Sequence, residues 1–175
     1  MKPKNETSKI LIKTGNNEDI MELQLCANEF IDFIDDFEIN LLKKKYLILT
    51  AYYFKNLSGI LLAENNMSKI DGLVNLVPKA HLIFLFVNPV YRNNKIASSL
   101  LKSFLKIKKE EKFAAVYINL PQKYKVGKKF LEKFHFVQMR AFNNNIVLER
   151  NLWYDFGVET FDFSKNLNAN ILNNY

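Results

Sequence analysis

Apolar positions recur along the chain with two spacings, and the switches between them mark out the elements. Ser8 to Lys13 alternates as a short strand. Asn16-Asn17-Glu18-Asp19 supplies a capping amide and first-turn acids, and Ile20, Leu23, Ala27, Phe30 and Ile34 then follow a helical stripe. A second helical piece runs to about Lys45. Tyr46 to Phe54 is β-rich, Lys55-Asn56-Leu57 is a hairpin turn, and Ser58 to Glu64 is the return strand. Asn65 to Val77 reads as a loop, with Pro78 following. His81 to Val87 is almost wholly apolar, the pattern of a central strand covered on both faces. Tyr91 to Lys95 is a polar loop. Ile96, Leu100, Phe104 and Ile107 form the next helical face, and Ala114 to Leu120 the next buried strand. Pro121 marks a helix start, with Val126, Phe130, Leu131 and Phe134 as its stripe. Phe136–Phe142 and Asn145–Leu152 form a terminal hairpin turning at Asn143-Asn144. The order β α α β β β α β α β β predicts a single α/β domain with a mixed central sheet over 1–152. The aromatic tail, 153–175, is expected to pack on the same domain.

Composition narrows the class. A chain of 175 residues with 49% hydrophobic and 25% charged positions suits one globular domain and excludes a disordered, collagen-like or coiled-coil chain. The single cysteine, Cys26, excludes an internal disulfide and a cysteine-cluster metal site, so no metal is expected. It also fits a reducing, cytoplasmic setting. The polar N-terminus lacks the apolar core of a signal peptide, and no run approaches the roughly 18 apolar residues of a membrane span.

Charge changes the picture more. Ten lysines against Glu110, Glu111 and Glu132 lie between Lys102 and Lys133, and this window carries the entire net charge of +7. An anionic partner and a solvated lysine-rich helix face both account for it.

The richest stretch runs from Phe86 through Leu101: a strand, a polar loop and a helix start. Such a junction leaves backbone N–H groups without partners at the positive end of a helix dipole, which favours an anion. A plain strand-to-helix connection looks the same. Val87, Pro89, Arg92 and Ala97 have the spacing V-x-P-x-x-R/Q-x-x-G-x-G/A, and so the stretch resembles the acetyl-CoA motif of the GCN5-related N-acetyltransferase (GNAT) superfamily. Lys95 replaces the first glycine of that motif. The element order from Ile10 to Leu152 and a glycine, Gly59, on the third strand also match. A second family motif, N-x-x-A-x-x-φ-Y-x-x-x-G-F, is degraded. Gly127, Phe130 and Phe136 keep its character, while Tyr124 stands for Asn, Leu131 for Tyr and His135 for Gly.

The resemblance implies a cosubstrate, acetyl-CoA, and an amine acceptor. By position, the backbone of Arg92, Asn93, Asn94, Lys95, Ile96 and Ala97 would hold the pyrophosphate, and Ser98 would add a hydroxyl. Phe86 and Val87 would pair with pantetheine in the gap between splayed fourth and fifth strands. Lys95, early in a helix, is expected to keep a negative φ. His81, six residues before Val87, corresponds to the general base of some members, and a histidine suits that work because it titrates near neutral pH. A strand-edge histidine without a role is the alternative. With Leu131 at the tyrosine position, thiolate protonation falls to Tyr124, with Tyr117, Tyr91 or a water as substitutes. His135 reads as a turn residue.

Three functions compete. The first is N-acetyl transfer from acetyl-CoA to a primary amine. The second is a GNAT-fold protein that binds CoA or a partner with weak or no turnover. The third, a nucleic-acid-binding domain, is disfavoured because the lysine window lacks interleaved arginine and aromatic residues. Asp32, Asp35, Asp36 and Glu38 read as a solvated face or as an acidic rim that attracts a cationic amine. The tail from Trp153 packs as an added strand, covers the acceptor site or forms a homodimer seam. The acceptor stays open among small amines, peptide N-termini, lysines and aminoglycosides.

Overall fold

The computed structural model describes residues 9–26, 46–69 and 76–153. Seven strands form one mixed sheet: β1 (Ile10–Thr14), β2 (Leu47–Tyr53), β3 (Asn56–Lys69), β4 (Leu76–Val87), β5 (Ala115–Pro121), β6 (Val137–Phe142) and β7 (Asn145–Asn151). Three helices accompany them among the described residues: α1 (Asn17–Cys26), α2 (Ile96–Glu110) and α3 (Lys125–Glu132). The sheet order is β1-β2-β3-β4-β5-β7-β6, antiparallel throughout except for β4 and β5. The predicted second helix and the acids at 32–38 lie outside the described residues, as does the tail beyond Trp153.

Helices cover the two sheet faces separately. Leu100, Leu101, Phe104 and Leu105 of α2, with Leu131 of α3, pack on Leu61, Ala63, Ala80, Leu82, Val116 and Ile118. Ile20 and Leu23 of α1 pack with Ile48, Ile60, Leu62 and Phe86 on the other face. Strand alternation accounts for the division, because neighbouring side chains point to opposite faces. A register shift at Leu62/Ala63 interrupts it, so that Phe84 and Phe86 face α1 and so does His81.

β4 and β5 pair in parallel only through Lys79↔Ala115, Ala80↔Val116 and His81↔Tyr117. No ladder pair joins them beyond that point, so the two strands part toward Val87, as the sequence predicts. Gly59 brings α2 close to the sheet at this opening. A Cβ there would meet the Phe86 carbonyl at 2.9 Å, Ile96 Cγ2 at 3.0 Å and Leu100 Cδ1 at 3.2 Å.

Several expectations from the sequence are corrected. Asn65–Val77 is not a loop: β3 runs to Lys69 and β4 starts at Leu76, so His81 lies inside β4 and not at its start. The two asparagines that suggest a turn have tertiary partners instead. Asn65 Oδ1 accepts from Lys108 Nζ at 2.8 Å, and Asn66 Nδ2 donates to the Tyr117 hydroxyl at 2.8 Å. The β2–β3 turn falls at Phe54-Lys55, both at positive φ, with Asn56 already paired to Tyr53. Pro121 ends β5 opposite Asn145, and a turn separates it from α3. Its missing N–H costs nothing at a strand end. Val126 is exposed on α3, since this short helix buries only Leu131 fully.

Candidate active site

The junction after β4 is tied together before α2 begins. Asn88 Oδ1 accepts from the Val90 amide at 3.1 Å, and the Tyr91 amide donates to the Asn88 carbonyl. Asn94 Nδ2 donates to the carbonyls of Tyr91 and Arg92 at 3.1 and 3.3 Å. The Arg92 side chain folds back, its Nε donating to the Val87 carbonyl at 3.2 Å. Its own amide donates to Pro89, which removes Arg92 N–H from the predicted pyrophosphate donors. The first bond of α2 runs from Ser99 to the Lys95 carbonyl. The amides of Asn93, Asn94, Lys95, Ile96, Ala97 and Ser98 have no acceptor among the described residues. Asn93 and Lys95 take positive φ, 66° and 62°, on either side of Asn94. Alternating backbone handedness turns successive N–H groups toward one point, a concavity suited to an anion, and the α2 dipole adds to it.

Lys95 therefore departs from the expected negative φ. It caps α2 in the left-handed region, at φ 62° and ψ 14°. His135 behaves likewise at φ 62°, in the turn after α3. Both positions where the chain replaces a motif glycine keep the conformation that glycine favours.

A second cluster lies where β4 and β5 begin to part. Glu64, His81 and Tyr117 are consecutive cross-strand partners in β3, β4 and β5. Glu64 Oε1 lies 3.1 Å from His81 Nδ1, with both side chains less than one-fifth exposed. The His81 and Tyr117 rings stack with centroids 4.6 Å apart. Asn66 Nδ2 donates to the Tyr117 oxygen at 2.8 Å and lies 3.4 Å from Glu64 Oε1. Lys79, two residues before His81, is ion-paired with Glu149 at 2.9 Å. A carboxylate only accepts, so it fixes Nδ1 of His81 as the donor, and in the neutral ring Nε2 then carries the lone pair. The Tyr117 oxygen already accepts from Asn66, which leaves its own O–H to donate.

The sequence-predicted residues thus fall in two groups. The residues 86–98 form the junction, and His81 stands in the Glu64–Tyr117 row. Tyr124 is exposed at the N-cap of α3, with its ring over Gly127. Leu131 is buried in the core, so the second motif offers no hydroxyl at that position. Glu64 was legible only as the last residue of a strand, and Asn66 fell in the segment expected to be a loop. Their signal is the i, i+2 spacing that puts both on the face of His81 once β3 is extended.

A family model described as "Acetyltransferase (GNAT) family" matches residues 18–136. The chain belongs to the GNAT acetyltransferase family. No curated protein matches it. Among solved structures, it is similar to Naa50 of Arabidopsis thaliana in complex with a bisubstrate analogue, at 17% identity and TM-score 0.62, covering 81% of this chain and 98% of that one. It is similar to a PaiA N-acetyltransferase of Thermoplasma acidophilum in complex with coenzyme A, at 20% identity and TM-score 0.62 over the same shares. A GNAT-family acetyltransferase of Staphylococcus aureus is 23% identical, with TM-score 0.57, 82% of this chain and 99% of that one.

Proposed function

We propose that the protein transfers an acetyl group from acetyl-CoA to a primary amine. The observation that carries this reading is the Glu64–His81 pair, 3.1 Å apart, at the point where β4 and β5 part. The amides of residues 93–98 suit the phosphates of the cosubstrate, and the opening between the strands suits its pantetheine arm beside Phe86 and Val87. The cosubstrate supplies an activated thioester: the amine nitrogen forms the new C–N bond as the C–S bond breaks.

His81 Nε2 accepts the proton that the amine loses, and Glu64 stabilises the imidazolium through Nδ1–H. Tyr117 donates its hydroxyl proton to the departing thiolate, a role that the sequence reading gave first to Tyr124. Tyr124 remains the alternative donor because it stands on the β5–α3 connection at the same end of the sheet. A cytoplasmic setting belongs to the same reading and rests on the single cysteine.

One similar structure is in complex with the bisubstrate analogue CoA-Ac-MVNAL, and another is named a ribosomal-protein-S18-alanine N-acetyltransferase. A thiol-release assay should therefore start with peptide N-termini, followed by lysine peptides, polyamines and aminoglycosides. Turnover with one class, abolished in His81→Ala while acetyl-CoA binding by calorimetry is kept, supports transfer. Binding of acetyl-CoA with no turnover across the panel favours the second reading, a CoA-binding protein, for which buried Leu131 is the supporting feature.

A further inference from the structure

The structure gathers part of the lysine-rich window into a groove on the α2–α3 side of the sheet, away from His81. Lys102 and Lys106 of α2 form one wall, with Leu105 beneath them. Lys133 and Phe134 follow α3, and Arg150 of β7 closes the far side. The groove encloses about 400 Å³. Leu105 is buried and Phe134 half-buried, so its floor is apolar while its rim is cationic. Arg150 Nη1 donates to the Phe134 carbonyl at 3.1 Å and fixes the two walls to each other. Along α2, Lys102 lies about 9 Å from Ile96 at 1.5 Å per residue, and Lys106 lies further still, so the groove is separate from the junction amides.

The chain leaves the sheet beside this groove. Leu152 is buried, its amide donating to the Ala114 carbonyl at 2.9 Å, two residues after Arg150. Residues 154–163, Tyr154-Asp155-Phe156-Gly157-Val158-Glu159-Thr160-Phe161-Asp162-Phe163, contain three acids, four aromatic rings and no lysine or arginine. Their acids complement the rim, and their rings complement the floor. Ten extended residues reach roughly 33 Å, well beyond the roughly 6 Å of helix between Lys102 and Lys106. A tethered segment also meets its site at an effective concentration of the order of millimolar.

We propose that residues 154–163 dock in this groove in cis. The tail then neutralises part of the cationic face and buries its aromatic residues against Leu105 and Phe134. This inference is independent of the catalytic reading and stands whether or not the protein turns over.

Zero-length carboxyl–amine coupling of the full-length protein, with mass mapping of the joined peptides, tests it. Docking gives links from Asp155, Glu159 or Asp162 to Lys102, Lys106 or Lys133. No such links, or equal yields to Lys123, Lys125 and Lys129, overturn it. Mixing light and isotope-heavy chains identifies the source. Links within one chain support docking in cis, and light–heavy links mean that a second copy supplies the tail and overturn it. A surface double variant, Lys102→Glu with Lys106→Glu, should speed amide exchange across 154–163 by tenfold or more. Unchanged exchange in that variant overturns the proposal. So does a short RNA that binds the groove of the full-length chain without changing exchange in the tail.

Discussion

The rings of His81 and Tyr117 lie 4.6 Å apart and 5° from parallel across the last pair of the β4–β5 ladder. Stacking at that position fixes the imidazole plane from one side, while the Glu64 carboxylate holds Nδ1 from the other. A base held at both its plane and its tautomer needs little reorganisation when it takes a proton.

His81→Ala should therefore lower the catalytic rate by about 10²–10⁴, with little change in acetyl-CoA affinity. Glu64→Gln should lose less, because the amide still accepts from Nδ1–H but no longer stabilises the imidazolium by charge. Steady-state rates and calorimetric affinities measured on the same preparations check both. A rate for His81→Ala equal to the parent moves the base to water or to Glu64.

Tyr117→Phe separates stacking from proton donation. The ring stays against His81, and the hydroxyl that accepts from Asn66 is lost. The expected result is a fall in rate of about 10²-fold at unchanged thermal stability. Tyr124→Phe, tested in parallel, should leave the rate within twofold of the parent. The reverse pattern returns the acid role to Tyr124.

Gly59 has no room for a side chain. A Cβ would press on the Phe86 carbonyl, 2.9 Å away, and on Ile96 and Leu100 of α2. The carbonyl belongs to the sheet backbone and cannot rotate aside, so α2 has to move. Gly59→Ala should cost about 1–3 kcal/mol, read from urea unfolding, and should weaken acetyl-CoA binding because the displaced helix carries the junction amides. Full stability in this variant would mean that α2 is not seated by Gly59.

The fold was legible where residue pattern and partner agree. The apolar run from Leu82 to Val87 and the stripe of α2 read correctly, since each buries what its period says it should. The β3 extension was not legible. Asn65 and Asn66 favour turns locally, and their strand conformation depends on Lys108 and Tyr117, which are 43 and 51 residues distant. The catalytic row was half legible for the same reason. His81 announced itself by chemistry and position, but Glu64 reaches it only through a register in which β3 continues into the predicted loop. The φ of Lys95 was missed because a lysine gives no local sign of a left-handed backbone; the loop around it imposes one.

Tyr52 offers a pH test of the α1 face. Burial, followed by its hydrogen bond to Asp19 at 3.0 Å, raises the phenol above its ordinary value of about 10. The folded state then holds this proton more tightly than the unfolded chain. Its contribution to stability is complete below about pH 10 and is lost as pH rises through the folded-state value. Tyr52→Phe should remove that part of the alkaline decline, measured as unfolding midpoints between about pH 9 and 11. An identical alkaline slope in the variant would assign the decline to other groups.

Lys95 and His135 give the sharpest paired test, because both hold a left-handed backbone at positive φ and only Lys95 borders the junction amides. A non-glycine residue in that region costs about 1–2 kcal/mol. Glycine at either site should recover about 1 kcal/mol, seen as a rise in Tm of about 2–4 °C for a chain of this size. The two variants should then differ in binding. His135→Gly should leave acetyl-CoA affinity unchanged. Lys95→Gly removes an ammonium beside the junction while relaxing the backbone, and Lys95→Ala removes the same charge but keeps the strain. If the ammonium attracts the phosphates, affinity falls in the order parent, Lys95→Gly, Lys95→Ala. The parent's affinity also weakens most steeply with salt, because exposed charges are screened over about 8 Å at physiological ionic strength. If Lys95→Gly instead binds acetyl-CoA far better than the parent, the lysine obstructs the approach of the phosphates. The reading of this protein as a weak or inactive CoA binder would then displace the enzyme.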